Sequence, residues 1–288
     1  MRMAAVTFDI DTTSPFGTYP AEGIGRFAWR LADRHELPDR LRKRVRALVA
    51  RCFRGPYDAE ADGLRFRLYP GSNYDDRKIF ARSRLPERAE HALLAPRFRA
   101  GVTFVDVGAN VGSYSLDAAR RGARVLAIEA NSDTAERLAY NVAANGATTV
   151  EIANVAIGAE AGTLALWQEP SNCGFATLVP DLTTGKWAGD WRSRQVTVRP
   201  LRDVLADHRI ARADVLKVDV EGFEDRVLMP FVTSAPRQAW PLAILLETNC
   251  REHWQEDCLA ALIGCGYRPA GETADNILLT LVDEETGT

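Results

Sequence analysis

The amino-acid sequence predicts an α/β fold, a mostly parallel sheet with helices on both faces. Two observations carry that expectation. From Gly101 onward, short apolar runs of strand type alternate with amphipathic helical patterns, the signature of βαβ units. The first of those runs leads through a glycine-rich turn into a helical pattern, in the segment VDVGANVGSYS (Val105 to Ser115). In open sheets of this kind the ligand sits beyond the carboxyl ends of the strands, where the strand order reverses.

In chain order, residues 26–54 come first. Phe27, Leu31, Leu41, Val45, Leu48, Val49 and Phe53 recur there at helical spacing, and Pro38 divides the stretch into two helices. The stretch carries ten basic residues against three acidic ones. That reads as a solvated face or as a surface that attracts an anionic partner. Residues 64–69, LRFRLY, alternate apolar and charged side chains, as a strand with one wet face does, and Pro70-Gly71 marks a turn. Residues 84–99 follow as a helix that buries Leu85, Ala89, Ala92, Leu93 and Phe98. The expected division is a helical appendage, 1–62, in front of a sheet domain, 63–288.

Within the sheet domain, strands are expected at 102–107, 124–128, 150–156, 214–218 and 242–247. Helices are expected at 113–121 and 132–144, the second with Ser132 as N-cap and Gly146 just past its end. Residues 169–194 read as a long loop over the ligand. In it Trp187 and Trp191 either stack on a flat substrate or pack the loop onto the sheet.

With 288 residues, 46% of them hydrophobic, the chain buries a core without disulfides or metal. A net charge of -3 excludes a strongly basic protein that coats nucleic acid. The charge is uneven, +7 over residues 1–100 and -10 over 101–288. Cys52, Cys173, Cys250, Cys258 and Cys265 form no C-x-x-C pair and have no histidine at zinc-ligand spacing. Free thiols in a reducing compartment are therefore expected. There is no secretory signal pattern and no apolar run of about 18 residues. The expectation is a cytoplasmic protein with no membrane span.

The glycine-rich turn is where the chemistry concentrates. Gly108 lets the chain turn sharply off the strand, and Gly112 lets the next helix pack closely. Asn110 is the non-glycine type most at ease at positive φ, so it can stand where a middle glycine is common. Asp106 is an acid within the strand end. Glu129 closes the second strand 21 residues after Gly108, where a carboxylate can accept hydrogen bonds from both ribose hydroxyls of an adenosine. The charges discriminate between adenosine ligands. The pyrophosphate of a nicotinamide dinucleotide favours a helix N-terminus free of anions, and Asp106 repels it. S-adenosylmethionine carries an ammonium and a sulfonium, which suit an acid. The electrostatics favour the methyl donor, and Asp106 as a buried acid capping the turn is the plainer alternative.

The second charged segment is KVDVEG, Lys217 to Gly222. Side chains alternate along a strand, so Val215, Lys217, Asp219 and Glu221 share a side, with the strand expected to end near Asp219. Burying such a set is costly unless the charges are paired or used. One reading is an ion pair of Lys217 with Asp219 or Asp106 that only secures the strand ends. The other is a catalytic set. An alcohol must lose its proton as it attacks a methyl group, and Asp219, Glu221 and a neutral Lys217 are the candidates, with Glu247 and His253 behind them. Glu224 reads as an acid in the first turn of the next helix. Asp219, Glu221 and Glu247 are also donors for a hard cation. Strand-end acids equally serve a cofactor, however, and no metal is assigned.

These residues resemble the FkbM family of S-adenosylmethionine-dependent methyltransferases. The resemblance rests on FVDVGANVGSYS (Phe104 to Ser115), VEIANVAIGAEAGTLAL (Val150 to Leu166), DVLKVDVEGFEDRVL (Asp214 to Leu228) and LETN (Leu246 to Asn249). LRDVLADHRI (Leu201 to Ile210) fits as a lead-in, and the match runs over residues 103–276. The pairing of DVGAN with KVDVEG is its specific part. The resemblance implies a Rossmann-like class I methyltransferase fold, a seven-stranded sheet ending in a hairpin of residues 267–270 and 276–282. It implies methyl transfer to a hydroxyl of a sugar or secondary metabolite. By motif position, Asp106, Gly108, Asn110 and Gly112 line the methionyl pocket, Glu129 holds the ribose, and Asn154 and Ala156 lie beside the adenine. Ser113 and Ala130 are counted with them as cofactor-binding. Residues 1–56 match nothing family-wide.

A small-molecule or glycan acceptor is expected, with no nucleic-acid partner, and the N-terminal helices are a candidate homo-oligomer contact. Two other classes stay open. A nicotinamide-dependent oxidoreductase is disfavoured by Asp106 and by the lack of a Tyr-x-x-x-Lys pair after the middle strands. In a non-catalytic cofactor-binding protein, the KVDVEG charges would all be consumed in ion pairs.

Overall fold

A computed structural model describes residues 10–33, 38–169, 172–184 and 189–282. Helices α1 (Ile24–Ala32) and α2 (Asp39–Cys52) come first, on either side of Pro38 as expected. A hairpin of β1 (Tyr57–Ala61) and β2 (Leu64–Leu68) follows, then α3 (Tyr74–Arg82) and a short α4 (Arg88–Leu94). The first half of the main sheet is β3 (Thr103–Val107), α5 (Ser113–Arg120), β4 (Arg124–Ile128), α6 (Ser132–Ala144) and β5 (Val150–Ala153). Next come β6 (Ala156–Ile157), β7 (Gly162–Glu169), β8 (Asn172–Thr177), β9 (Arg192–Arg199) and α7 (Leu201–Asp207). The second half is β10 (Val215–Val218), α8 (Glu224–Ser234), β11 (Ala243–Glu247), α9 (Cys258–Gly264), β12 (Tyr267–Glu272) and β13 (Asn276–Leu281).

The main sheet has seven strands in the order β12-β13-β11-β10-β3-β4-β5. The five strands from β11 to β5 are parallel, and β13 pairs antiparallel with both β11 and β12. This is the Rossmann-like α/β fold, with the expected closing hairpin. Chain direction across the sheet reverses at β3, with β4 on one side and β10 on the other. The carboxyl ends of β3 and β10 therefore flank the crevice. Parallel strands covered on both faces read as continuous apolar runs, and all five residues of β11 are buried. Val105, Leu126, Leu216 and Ile244 pack with Leu228 and Phe231 of α8 on one face. Phe104, Val125, Val215 and Leu245 pack with Leu94, Phe98 and Tyr114 on the other.

Several local expectations are corrected. Residues 169–194 are not one long loop. They hold β8 and the start of β9, in a second sheet of order β6-β9-β7-β8. The strand expected over 150–156 is cut at Ala153, because Ala156 and Ile157 leave the main sheet to pair with β9. The helix expected over 84–99 is reduced to α4 and a 3-10 turn, Ala95–Arg97. Ser83 and Glu87 take left-handed backbone in front of it, at φ 55° and 47°. Its phase is also shifted. Glu90, His91 and Leu94 are buried while Ala89 and Ala92 are exposed, because His91 stacks on Tyr114 at 4.3 Å and approaches Asp117 at 3.3 Å. Asn131, not Ser132, caps α6, its side chain accepting the Asp133 N–H. Helix α3 was not anticipated, although Asn73 accepts the N–H groups of Asp75 and Asp76 as an ordinary N-cap.

The N-terminal region packs as part of the body. Trp29, Ala32 and Val49 face inward and join Phe66, Ile79, Phe80 and Leu116 in one apolar cluster. Phe27, Leu31, Leu41 and Leu48, from the same expected stripe, are exposed. The 62/63 division falls in the turn of the β1–β2 hairpin. Among the described residues no helix is long and apolar enough to cross a membrane.

Candidate functional site

A cavity of about 270 Å³ opens where β3, β4, β10 and β11 end. The turn after β3 forms its floor. Gly108 has φ 82°, and a Cβ there would lie 1.8 Å from the Asp219 carbonyl oxygen, so only glycine lets this turn pass the end of β10. Asn110 takes the left-handed conformation expected of it, at φ 49°. Gly112 does not reach the cavity wall. A Cβ on it would meet Leu138 of α6 at 2.5 Å, so its role is helix packing.

Glu129 closes β4 beside this turn. Its Oε2 accepts the Asn110 N–H at 2.9 Å and its Oε1 the Asn131 N–H at 2.8 Å. Each carboxylate oxygen can accept a further bond. Burial pushes its carboxyl up to about 7 in spite of those two amides. Ala130, Val155, Ala156, Ile157 and Leu166 supply an adjoining apolar wall. Asn154 stands behind that wall, donating to the carbonyl oxygens of Glu129 and Ala130 at 2.7 and 3.2 Å.

Asp106 is fully buried and off the wall. It accepts the Ser115 hydroxyl at 2.6 Å and lies 3.7 Å from Lys217 Nζ, its neighbour across the β3–β10 ladder. Lys217 also reaches Asp219 at 2.9 Å, so both anticipated ion pairs exist together. Burial alone would push the Lys217 ammonium down. The charges of Asp219 and then Asp106 outweigh it and hold the group well above the usual lysine range. Both neighbours thus favour the charged form of Lys217 over a neutral base. Asp219 keeps about a quarter of its side chain exposed, 26%, on the cavity.

Glu221 and Glu247 line the same end of the cavity. Glu221 sits at φ 55°, and the Thr177 hydroxyl donates to its carbonyl at 2.7 Å. Burial, and then the Asp219 charge, push both carboxyl groups well above the usual range. Glu224 takes the helix-start role: it accepts the N–H groups of Val220 and Gly222 and the indole N–H of Trp254. His253 lies in a 3-10 turn away from the wall. Ser113 does line it.

Part of the wall was not foreseen. Tyr74, Asp75 and Lys78 reach it from α3, with Glu87 and Tyr114 beside them. Asn110 is the clasp: it accepts from Asn73 Nδ2 at 2.8 Å and donates to Asp75 at 2.9 Å. A buried Arg137–Asp76 ion pair holds α3 to α6, and Arg137 lies 3.1 Å from Cys173 Sγ of β8. The Asn73 cap was a readable helix signal, but nothing local reports a partner 37 residues on. Burial, then the charges of Asp75 and Asp219, push Glu87 up to about 8. Trp187 lies outside the described residues. Trp191 tilts against Phe175 at 5.4 Å, and Phe175 is the aromatic on the wall. Among the described residues, Asp75, Glu87, Glu129, Asp219, Glu221, Glu247 and Asp275 thus share a wall whose basic side chains are Lys78 and Lys217.

A family model described as the methyltransferase FkbM domain matches residues 106–269. The chain is 35% identical over 150 residues to the methyltransferase sdnD of Sordaria araneosa, a match covering 43% of this chain and 58% of that one. It therefore spans little more than half the length of that curated relative. Among solved structures it is similar to the precorrin-6y C5,15-methyltransferase of Geobacter metallireducens, at 12% identity, 67% and 89% coverage of the two chains and a TM-score of 0.40. It is also similar to an rRNA methylase from Streptococcus thermophilus, at 10% identity, 69% and 97% coverage and a TM-score of 0.41.

Proposed function

Because the chain belongs to the FkbM methyltransferase family, we propose that it transfers the methyl group of S-adenosylmethionine to a hydroxyl oxygen of a sugar or secondary metabolite. The observation that carries this reading is the meeting of the Asn110 amide with Glu129 at the cavity wall. It leaves a carboxylate with free acceptor sites for a ribose diol. The apolar wall at Val155, Ala156, Ile157 and Leu166 suits an adenine face. The surplus of acid suits the ammonium and sulfonium.

S-adenosylmethionine, when bound, supplies a methyl carbon made electrophilic by its sulfonium. Asp219 takes the proton of the acceptor hydroxyl as general base. Its Oδ2 is held by Lys217. Lys217 positions that carboxylate and carries no proton away. Tyr74 and Phe175 add aromatic surface to the cavity wall. The acid surplus repels a phosphate backbone, which favours a small molecule or glycan over nucleic acid. Five free thiols fit a reducing, cytoplasmic location.

Calorimetric titration with S-adenosylmethionine and with NAD, followed by a methyl-transfer screen on glycosides and hydroxylated metabolites, tests the reading. Binding of the methyl donor with transfer to a hydroxyl is expected. Binding of NAD in its place would sink it.

The reading includes a self-contact. Ile24, Phe27 and Leu31 are exposed along one face of α1, and Leu41 and Leu48 along one face of α2. Contiguous exposed apolar side chains mark interaction surfaces. The double variant Phe27→Ser with Leu48→Ser is expected to lower the light-scattering mass to that of one chain. A parent protein that is already monomeric removes the contact.

A further inference from the structure

We infer that Asp219, Glu221 and Glu247 together bind one hard divalent cation, of the Mg²⁺ or Mn²⁺ class, at the carboxyl ends of β10 and β11. One carboxylate oxygen of each lies within 4.8 Å of the others. Two oxygens that share an ion at about 2.0–2.6 Å stand at most roughly 4–5 Å apart. The three groups are therefore already spaced for a common ligand.

Proximity of acids alone is not a site, and the second observation is Glu247. It is only 5% exposed. Its Oε1 accepts the Asn249 side-chain amide at 2.8 Å. Its Oε2 is buried with no hydrogen-bond partner. A buried carboxylate oxygen left unpaired is costly, and the two lysines of the wall are engaged elsewhere. Lys217 serves Asp219 and Asp106, and Lys78 sits 4.0 Å over the Tyr74 ring. A cation supplies the missing partner and relieves the repulsion that Asp219 exerts on Glu221 and Glu247. Carboxylate oxygens select a hard ion over a soft one.

The binding claim stands without the methyl-transfer reading, but its use rests on it. A bound divalent ion with open positions acidifies an acceptor hydroxyl and orients it. The rival arrangement is a proton shared between Glu247 and Asp219, which fills the same gap without a metal.

The test is calorimetric titration of Mn²⁺ into the full chain after removal of metals with EDTA, with electron paramagnetic resonance of the bound ion. One Mn²⁺ per chain is expected. Its affinity falls about tenfold or more in Glu221→Gln and in Glu247→Gln, with circular dichroism to check folding. Glu221 is half-buried, so its variant carries the test if Glu247→Gln fails to fold. A folded parent that takes up no Mn²⁺, Mg²⁺ or Ca²⁺, with or without S-adenosylmethionine, overturns the site in favour of the shared proton. Unchanged affinity in both variants overturns it too. Methyl-donor binding without ion binding sinks the metal alone, and ion binding without methyl-donor binding sinks the methyl-transfer reading alone.

Discussion

Arg67, in β2 of the N-terminal hairpin, and Lys217, in β10 at the cavity, are both almost fully buried, at 1% and 2% exposure. Around Arg67 every group is matched. Its guanidinium makes two bonds to Asp58, at 2.8 and 2.9 Å, and others to the carbonyl oxygens of Asp11, Ser14 and Pro15. Asp58 also accepts the N–H groups of Gly17 and Tyr19, and the Tyr140 ring of α6 lies 4.1 Å from the guanidinium carbon. Around Lys217 the balance is open. One ammonium meets Asp106 and Asp219, while Glu87, Glu221 and Glu247 add acid and, among the described residues, form no ion pair of their own. The closed cluster clamps residues 11–19 to β2 and α6. The open one lines the cavity, and a concentration of perturbed acids in a cleft is the pattern that marks a candidate functional site.

Four experiments break or sharpen that contrast. Arg67→Ala strands Asp58 and three carbonyl oxygens, and a loss of about 3–5 kcal/mol is expected from urea unfolding. A loss below about 1 kcal/mol would mean that the clamp relaxes onto water. Asp219→Asn touches the open cluster instead. Turnover should drop by about a hundredfold or more with the unfolding midpoint little changed. Near-normal turnover at saturating acceptor would pass the base role to Glu221.

Glu129→Ala should weaken S-adenosylmethionine binding about tenfold, about 1.4 kcal/mol, through two lost ribose bonds. Unchanged affinity by calorimetry would remove Glu129 from the ribose. The last experiment varies pH. Glu129 and Glu87 are raised to about 7 and about 8 in the folded chain, from 4.5. The folded state therefore keeps protons that the unfolded state releases, and stability falls as pH rises through that window. That loss falls between about pH 5 and pH 8, read from the thermal midpoint. Saturation with the methyl donor should reduce it. Stability that rises over the same range would show these acids to be ionised and paired, as Asp58 is.

The contrast also divides what the sequence made legible. The turn after β3 was readable, because backbone sterics are local: glycine and asparagine tolerate positive φ, and Gly108 and Asn110 adopt it. Glu129 was readable from its spacing off that turn. The readings that failed depended on distant partners. Asp106 was read as a pocket residue, but it is buried off the wall beside its ladder neighbour Lys217. Lys217 was read as a base in its neutral form, but two carboxylates beside it favour the charged form. Strand β8, NCGFAT, has weak strand propensity and exists because it pairs with β7. The alternation in β9, RSRQVTVR, was a usable signal.

Sequence alone determined the parallel sheet, the end of it that carries the site, and the chemistry of the β3 turn. All three follow from periodicity and from allowed φ, properties of a few adjacent residues. Tertiary structure alone decided which acids face the cavity, which cation neutralises which carboxylate, and that α3 supplies a wall through the Asn73–Asn110 bond. Those outcomes depend on desolvation and on contacts between residues tens of positions apart, and no short window of sequence reports either.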